Sequence, residues 1–358
     1  MFATAGLDIP STLQLGGVSM YWGPFLVVTV FTVLLIAGTQ VSAKVNNVFT
    51  LIKIAITLFV IVVGFTYLNT ENFSPFIPPA QAPVVAHGVS GDVWGQPMLA
   101  WLFGAAPSQY GWLGVISGAS LVFFAFLGFD IVATSAEEVK DPQRTLPRGI
   151  LGGLALVTVL YILVTLALTG MVPYTELAKA ENPSLATAFV AVGAGWAAQI
   201  ISIGVLAGMT TVVMVLLMGS ARVLLALCRD GLLPRSWGVT SQTRKTPVRL
   251  QVAVGIVVAL LAGFTNVEAL EEMINIGTLS AFVLVSIGVL VLRKKHPQGK
   301  GYRVPMAPVL PLLSAVLCVY LMMNLTTLTW ARFLVWMALG TTIYCFYGMR
   351  HSRLAKGH

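Results

Sequence analysis

Residues 123–143 read FFAFLGFDIVATSAEEVKDPQ: an apolar run holding one glycine, Gly128, and one acid, Asp130, which then breaks into charges. Phe123, Phe124, Phe126 and Phe129 crowd around that glycine. A glycine among bulky rings, beside an acid within an apolar segment, suits a helix interrupted inside lipid. In hydrocarbon every backbone N–H and C=O needs a partner, so such a break survives only where protein or a water-filled cavity surrounds it. The carbonyls released at a break can accept hydrogen bonds from an ammonium group, while the half-helix ends add partial charge. The alternative is a continuous helix whose glycine accommodates a neighbour, since Gly is common in membrane helices. Asp130 is read as a possible substrate-binding or structural acid, because an ionisable residue within a span is a functional candidate by default.

The surrounding chain makes the lipid setting firm. Of its 358 residues 57% are hydrophobic and 9% charged, against about 25% charged in soluble domains. Several apolar runs reach the ~20 residues that cross a ~30 Å hydrocarbon layer as a helix. The net charge of +8 is not gathered into a basic arm, and no aromatic–basic interleaving suggests nucleic acid. Cys228, Cys318 and Cys345 have no paired spacing and read as packing residues, so no metal or cofactor is expected. No basic region precedes the first apolar run, so no cleavable signal is expected.

Nine spans are expected, at roughly 22–41, 48–68, 113–136, 149–172, 189–220, 248–264, 269–292, 305–325 and 330–349. The fifth is expected to continue as a helix through ARVLLALCRDG, with Gly231 as its stop. Lys and Arg set the orientation. With the connection after the first span in the cytoplasm, alternate segments hold 18 of the 21 basic residues. Lys179 and Arg332 fall outside, and Lys53 lies within a span. The long 69–112 segment has no Lys or Arg and reads as an extracytoplasmic loop, with 137–148 and 221–248 as cytoplasmic ones. The expectation is one transmembrane domain over 1–358, multi-pass in the cell membrane, with a cytoplasmic C-terminus. Nine spans then put residue 1 outside the cell, and the simplest account is that further helices precede it.

The stretch from Phe123 to Ile150 resembles the sixth helix and following loop of the cationic amino acid transporter family, within the amino acid–polyamine–organocation superfamily. The resemblance extends through KVNNVFTLIKIAITLFVIVVGF from Lys44, GMTTVVMVLLMGSARVLLALCRDGLLP from Gly208 and INIGTLSAFVLVSIGVLVLR from Ile274. It implies a five-plus-five inverted repeat followed by two helices, with substrate at mid-membrane between broken first and sixth helices. Carried over by motif, Phe124, Ala125, Phe126 and Leu127 are the substrate-binding positions and Gly128 gives the break. The first span here matches the family's fourth helix, so the family's first three helices, with half the substrate site, are expected ahead of it.

Lys53, in NNVFTLIKIAI, is a lone cation whose burial costs at least ~2.5–3.5 kcal/mol on insertion scales. Snorkelling of its long stem to the interface is one reading. The resemblance implies another: a proton-coupling lysine standing where sodium-coupled relatives hold the ion, facing the hydroxyls of Thr210 and Thr211. Those hydroxyls could equally serve as ordinary caps within their own helix.

Other features are weaker. Glu137 and Glu138 could pair with Lys140 or Arg144 as a gate, although surface pairs contribute under ~1 kcal/mol. NIGTL at 275–279 could mark a break at an outer gate, or a packing glycine. Asn72-Phe73-Ser74 matches an outward-facing glycosylation sequon where the source glycosylates, and is a chance match otherwise.

The function implied is secondary transport of amino acids, coupled to protons. An intramembrane enzyme is disfavoured because His87, His296, His351 and His358 all fall in loops or the tail, away from any acid or nucleophile in a span. A non-transporting subunit, sensor or remnant is the main rival, and a channel lacks a repeated charge or carbonyl motif.

Overall fold

The computed structural model describes residues 13–15, 18–37, 39–80, 93–104, 110–134, 139, 141–179, 183–241, 246–265, 267–295, 302 and 304–352. Apart from a small antiparallel hairpin, β1 (Leu13–Leu15) and β2 (Val18–Met20), the regular structure is helical. In chain order the helices are α1 (Trp22–Ala37), α2 (Thr39–Thr66), α3 (Met98–Phe103), α4 (Gly111–Val122), α5 (Phe129–Thr134), α6 (Pro142–Met171) and α7 (Tyr174–Leu177). There follow α8 (Leu185–Ala191), α9 (Gly195–Arg229), α10 (Val248–Phe264), α11 (Val267–Lys295), α12 (Val309–Met323), α13 (Thr327–Ile343) and α14 (Met349–His351).

Among the described residues four helices are long and apolar enough to cross a membrane: Asn47–Thr66, Pro142–Met171, Gly195–Arg229 and Leu270–Lys295. A bent pair, Gly114–Ser120 with Phe123–Ala133, and the shorter apolar helices Trp22–Ile36, Val248–Phe264 and Val309–Met323 add to them. Large apolar side chains such as Val33, Leu51, Val62, Leu156 and Leu284 point outward. Hydrocarbon is the solvent that such a surface fits.

The chain divides into two compact units. One comprises residues 1–76, 152–264 and 351–358. Its first core packs Val60 of α2, Met171 of α6, Phe189 of α8 and Ala197, Ala198 and Ile201 of α9. Close approach of α2 to α9 depends on Gly204, where an added Cβ would lie 2.5 Å from Ile56 Cγ1; small residues permit such backbone contacts in membrane bundles. A second core joins Val28 and Leu35 of α1, Met214 and Leu217 of α9, and Ala259 of α10.

The other unit comprises residues 77–151 and 265–350. Here Ile276 and Leu279 of α11 pack with Cys318 and Met322 of α12 and with Leu325. Thr326 caps α13, accepting from the Thr329 amide, and both threonine hydroxyls also donate to the Glu272 carboxylate. The segment before α3 is tied to the same corner: Met98 N–H donates to Leu325 O at 2.9 Å, and Thr327 N–H to Gln96 O at 2.9 Å.

Several local expectations change. Residues 142–148, read as loop, form the start of α6: Pro142 opens the helix, where its missing N–H costs nothing, and Asp141 O accepts from Arg144 and Thr145. The 69–112 segment contains α3 and the first turn of α4 as well as loop. The fifth expected span divides into α8 and α9 at Gly193, whose φ of +80° terminates α8 and suits only a residue without Cβ. NIGTL forms no break, because α11 runs unbroken from Val267 to Lys295. The sequon asparagine, Asn72, donates its side-chain amide to Gly170 O at 2.7 Å. The α9 extension follows expectation, ending at Arg229 with Gly231 at φ +79°.

Candidate substrate and coupling sites

The interrupted helix lies in the second unit. After α4, residues Phe123–Phe126 tighten into a 3-10 turn, Leu127 turns extended (φ −64°, ψ 145°), and Gly128 adopts φ +117° before α5 begins. Just ahead of this turn, between Ser120 and Phe123, the apolar segments Gly114–Ser120 and Phe123–Ala133 meet at 44°. No atom lies within 4 Å of a Cβ built at Gly128, so the glycine is required by backbone conformation and not by crowding. Leu127 N–H donates to Phe124 O at 3.1 Å, and Ile131 N–H to Gly128 O at 3.2 Å. These bonds close each half at the turn instead of continuing the i→i−4 ladder. Phe124 is 41% exposed, while Phe126 and Leu127 are half-buried. Phe124, Ala125, Phe126, Leu127 and Gly128 thus all sit at the discontinuity.

Two residues that sequence reasoning missed hold that turn. Phe282 of α11 stacks on Phe129 (centroids 5.3 Å apart, 26° between planes) and meets Phe123 edge-on (6.0 Å, 79°). One ring therefore contacts the aromatic residues on both sides of the break. Such pairs contribute about 0.5–1.5 kcal/mol beyond burial. Asn275, also of α11, is fully buried; its amide approaches Ser120 O at 3.5 Å, and its Oδ1 has no hydrogen-bond partner among the described residues. In NIGTL the sequence points to the glycine, and the pairing of Asn275 across 155 positions has no signal in it. The side chains of Asp130, Glu137, Glu138 and Lys140 lie outside the described residues, so the candidate acid and the proposed ion pairs are not located.

The lysine site lies in the first unit. Lys53 Nζ donates to Thr211 Oγ1 at 3.1 Å, and Thr211 Oγ1 donates to Gly208 O at 2.7 Å. A hydroxyl has one proton and two lone pairs; giving the proton to its own helix leaves a lone pair for the ammonium. Thr211 is buried near the middle of α9, so the ammonium is directed inward along α9 and not toward a helix end. Gly208 leaves room for the stem: a Cβ there would touch Lys53 Cε and Cγ at 3.4 Å. Thr210 turns the other way, donating to Ala207 O at 2.7 Å. The structure therefore brings Thr211 to Lys53 and leaves Thr210 as an intrahelical bond. A cavity of about 280 Å³ adjoins the lysine, lined also by Thr57, Gly204, Val205 and Gly208. Among the described residues no three His, Cys, Asp or Glu side chains cluster as a metal site.

Comparison with known proteins agrees with this architecture. The amino acid permease family model matches residues 3–346. The chain is 40% identical over 99% of its length to the methylthioribose transporter of Bacillus subtilis strain 168, covering 71% of that protein. It is 38% identical over 92% of its length to a branched-chain amino acid permease of the same organism, covering 64% of it. Against the vacuolar cationic amino acid transporter 4 of Arabidopsis thaliana the identity is 34% over 76% of this chain and 41% of the relative. The chain thus spans from about two fifths to about seven tenths of the length of these relatives. Its membrane-length apolar helices, and a family match from residue 3 to residue 346, establish that the chain belongs to the amino acid permease family.

Proposed function

We infer that this chain serves secondary active transport of amino acids across the cytoplasmic membrane, as a proton-coupled symporter. The observation that carries the coupling is the Lys53–Thr211 hydrogen bond. A cation within a span needs a partner or must give up its proton, and a single neutral hydroxyl leaves both states accessible. Protonated, Lys53 donates to Thr211; deprotonated, it loses the charge that draws it there, and α2 is freed from α9 at that level. The cycle needs two arrangements whose balance the proton shifts.

The substrate part of the reading rests on the turn at Phe124–Gly128. Its backbone carbonyls suit an α-ammonium group, and the half-exposed Phe124 supplies an apolar face. We take the helices described above as members of nine spans in a five-plus-five inverted repeat with two additional C-terminal helices, the C-terminus in the cytoplasm. Bilayer lipid is the medium, and amino acid and proton are the only other partners proposed. The relatives' names favour a branched-chain or cationic amino acid. The identity to the methylthioribose transporter over nearly the whole chain supports a second reading, in which the cargo is a neutral thio-sugar.

The test is uptake by the purified full chain in proteoliposomes with an inward proton gradient, using labelled leucine, arginine and methylthioribose. Gradient-driven accumulation of one amino acid is expected. Accumulation of methylthioribose alone would transfer the reading to the thio-sugar, and equal uptake with and without the gradient would overturn proton coupling.

A further inference from the structure

An apolar cavity of about 420 Å³ lies in the first unit, away from Lys53, lined by Leu224, Cys228, Pro234, Trp237, Ala253, Val257 and their neighbours. Its volume falls within the ~300–1,000 Å³ typical of ligand sites, yet its described walls offer no acid, amide or lysine to a polar ligand. Along α10 the lining runs from Leu250 to Val258, about 12 Å at 1.5 Å per residue. One leaflet's hydrocarbon is about 15 Å deep, half of ~30 Å. The slot therefore has the depth of a single acyl chain.

The residues that flank and close its lining are basic and aromatic. Arg235 stands between the lining residues Pro234 and Trp237, and Arg249 immediately precedes Leu250. Both arginines are exposed. Arg249 is anchored by donating Nη1 to Ser236 O at 3.0 Å, which holds the two guanidinium-bearing segments together. Among the described residues neither forms an ion pair with a carboxylate. Trp237 is 55% exposed, and tryptophan is enriched at head-group level. Arginine recognises phosphate through its planar array of donors, and basic pockets between helices at the cytoplasmic face bind acidic head groups.

We propose that this groove is a binding site for an anionic phospholipid, with one acyl chain in the slot between α9 and α10 and the phosphate at Arg235 and Arg249. Charge complementarity selects the occupant: an apolar slot alone accepts any chain, whereas two exposed arginines flanking its lining, neither ion-paired among the described residues, favour an anionic head group over a zwitterionic one.

The experiment is native mass spectrometry of the full chain in micelles holding equal amounts of dioleoyl phosphatidylglycerol and dioleoyl phosphatidylcholine. Several-fold preferential retention of phosphatidylglycerol is expected. The preference is expected to fall toward unity in Arg235→Gln and in Arg235→Gln/Arg249→Gln, and Ala253→Phe is expected to lower retention of both lipids. Arg235→Gln alone leaves the Arg249–Ser236 bond in place, so a fold change in the double variant does not obscure the result. Equal retention of the two lipids, or an unchanged preference in Arg235→Gln, would overturn the proposal. So would equal displacement of phosphatidylglycerol by added glycerol phosphate, which has the head group but no chains, or dimers in place of lipid adducts. The readout is independent of transport, so its failure leaves the function above standing.

Discussion

Lys53 of α2 and Thr211 of α9 lie 158 positions apart in sequence, and the lysine ammonium donates to the threonine hydroxyl at 3.1 Å. Two helices of one compact unit meet at this bond, beside a cavity and under a glycine that leaves the lysine stem its space. Replacing Lys53 with Ala is expected to abolish gradient-driven uptake while substrate counterflow, which needs no proton, persists. Unchanged dependence of uptake on external pH in Lys53→Ala would remove the lysine from the coupling step.

Thr211 and Thr210 separate the coupling role from helix capping. Thr211→Val keeps the volume but deletes the acceptor; hydrogen bonds to charged groups contribute about 1.5–3 kcal/mol, so a loss of roughly tenfold or more in proton-driven uptake is expected. Thr210→Val removes only a bond to Ala207 and should leave uptake within about twofold. Equal effects of the two substitutions, measured as initial rates across external pH, would contradict the geometry.

Gly204 tests the packing that brings those residues together. A methyl there would enter Ile56 at 2.5 Å, and overpacking of this kind costs about 1–3 kcal/mol. Gly204→Ala should lower the unfolding temperature in detergent, and it should cost less in an Ile56→Ala background, where Cγ1, Cγ2 and Cδ1 are all absent. A single variant as stable as the parent would show that α2 and α9 do not approach this closely.

Asn275 is fully buried, with its Oδ1 unpartnered among the described residues. A buried polar atom without a partner carries its desolvation cost uncompensated, and the amide bond to Ser120 O that a replacement would lose is long at 3.5 Å. Asn275→Leu is therefore expected to keep or raise the unfolding temperature. A lower unfolding temperature in Asn275→Leu would mean that the bond to Ser120 contributes more than its geometry indicates.

Much of this was legible in the sequence, and the reason lies in lipid. Span positions follow from apolar runs, which is why Val248–Phe264 emerges with the bounds expected for it. The residues at Gly128 left a break and a continuous helix both open, and the family resemblance pointed to the break; the structure gives that glycine a φ only glycine adopts freely. NIGTL carried a similar glycine and no break, since Gly277 sits within a continuous α11. A lone glycine does not identify which helix is interrupted. What the sequence lacked was long-range pairing. Phe282 reads as one more apolar residue until its ring is seen between Phe123 and Phe129, and the preference of Lys53 for Thr211 over its neighbour depends on which way each hydroxyl turns around α9.

The central claim, that proton movement through Lys53 accompanies substrate, is tested most directly by recording internal pH in proteoliposomes carrying the full chain. Addition of external amino acid is predicted to acidify the lumen, and the signal is predicted to vanish in Lys53→Ala while counterflow persists. Acidification of equal size in the parent and in Lys53→Ala would contradict the account.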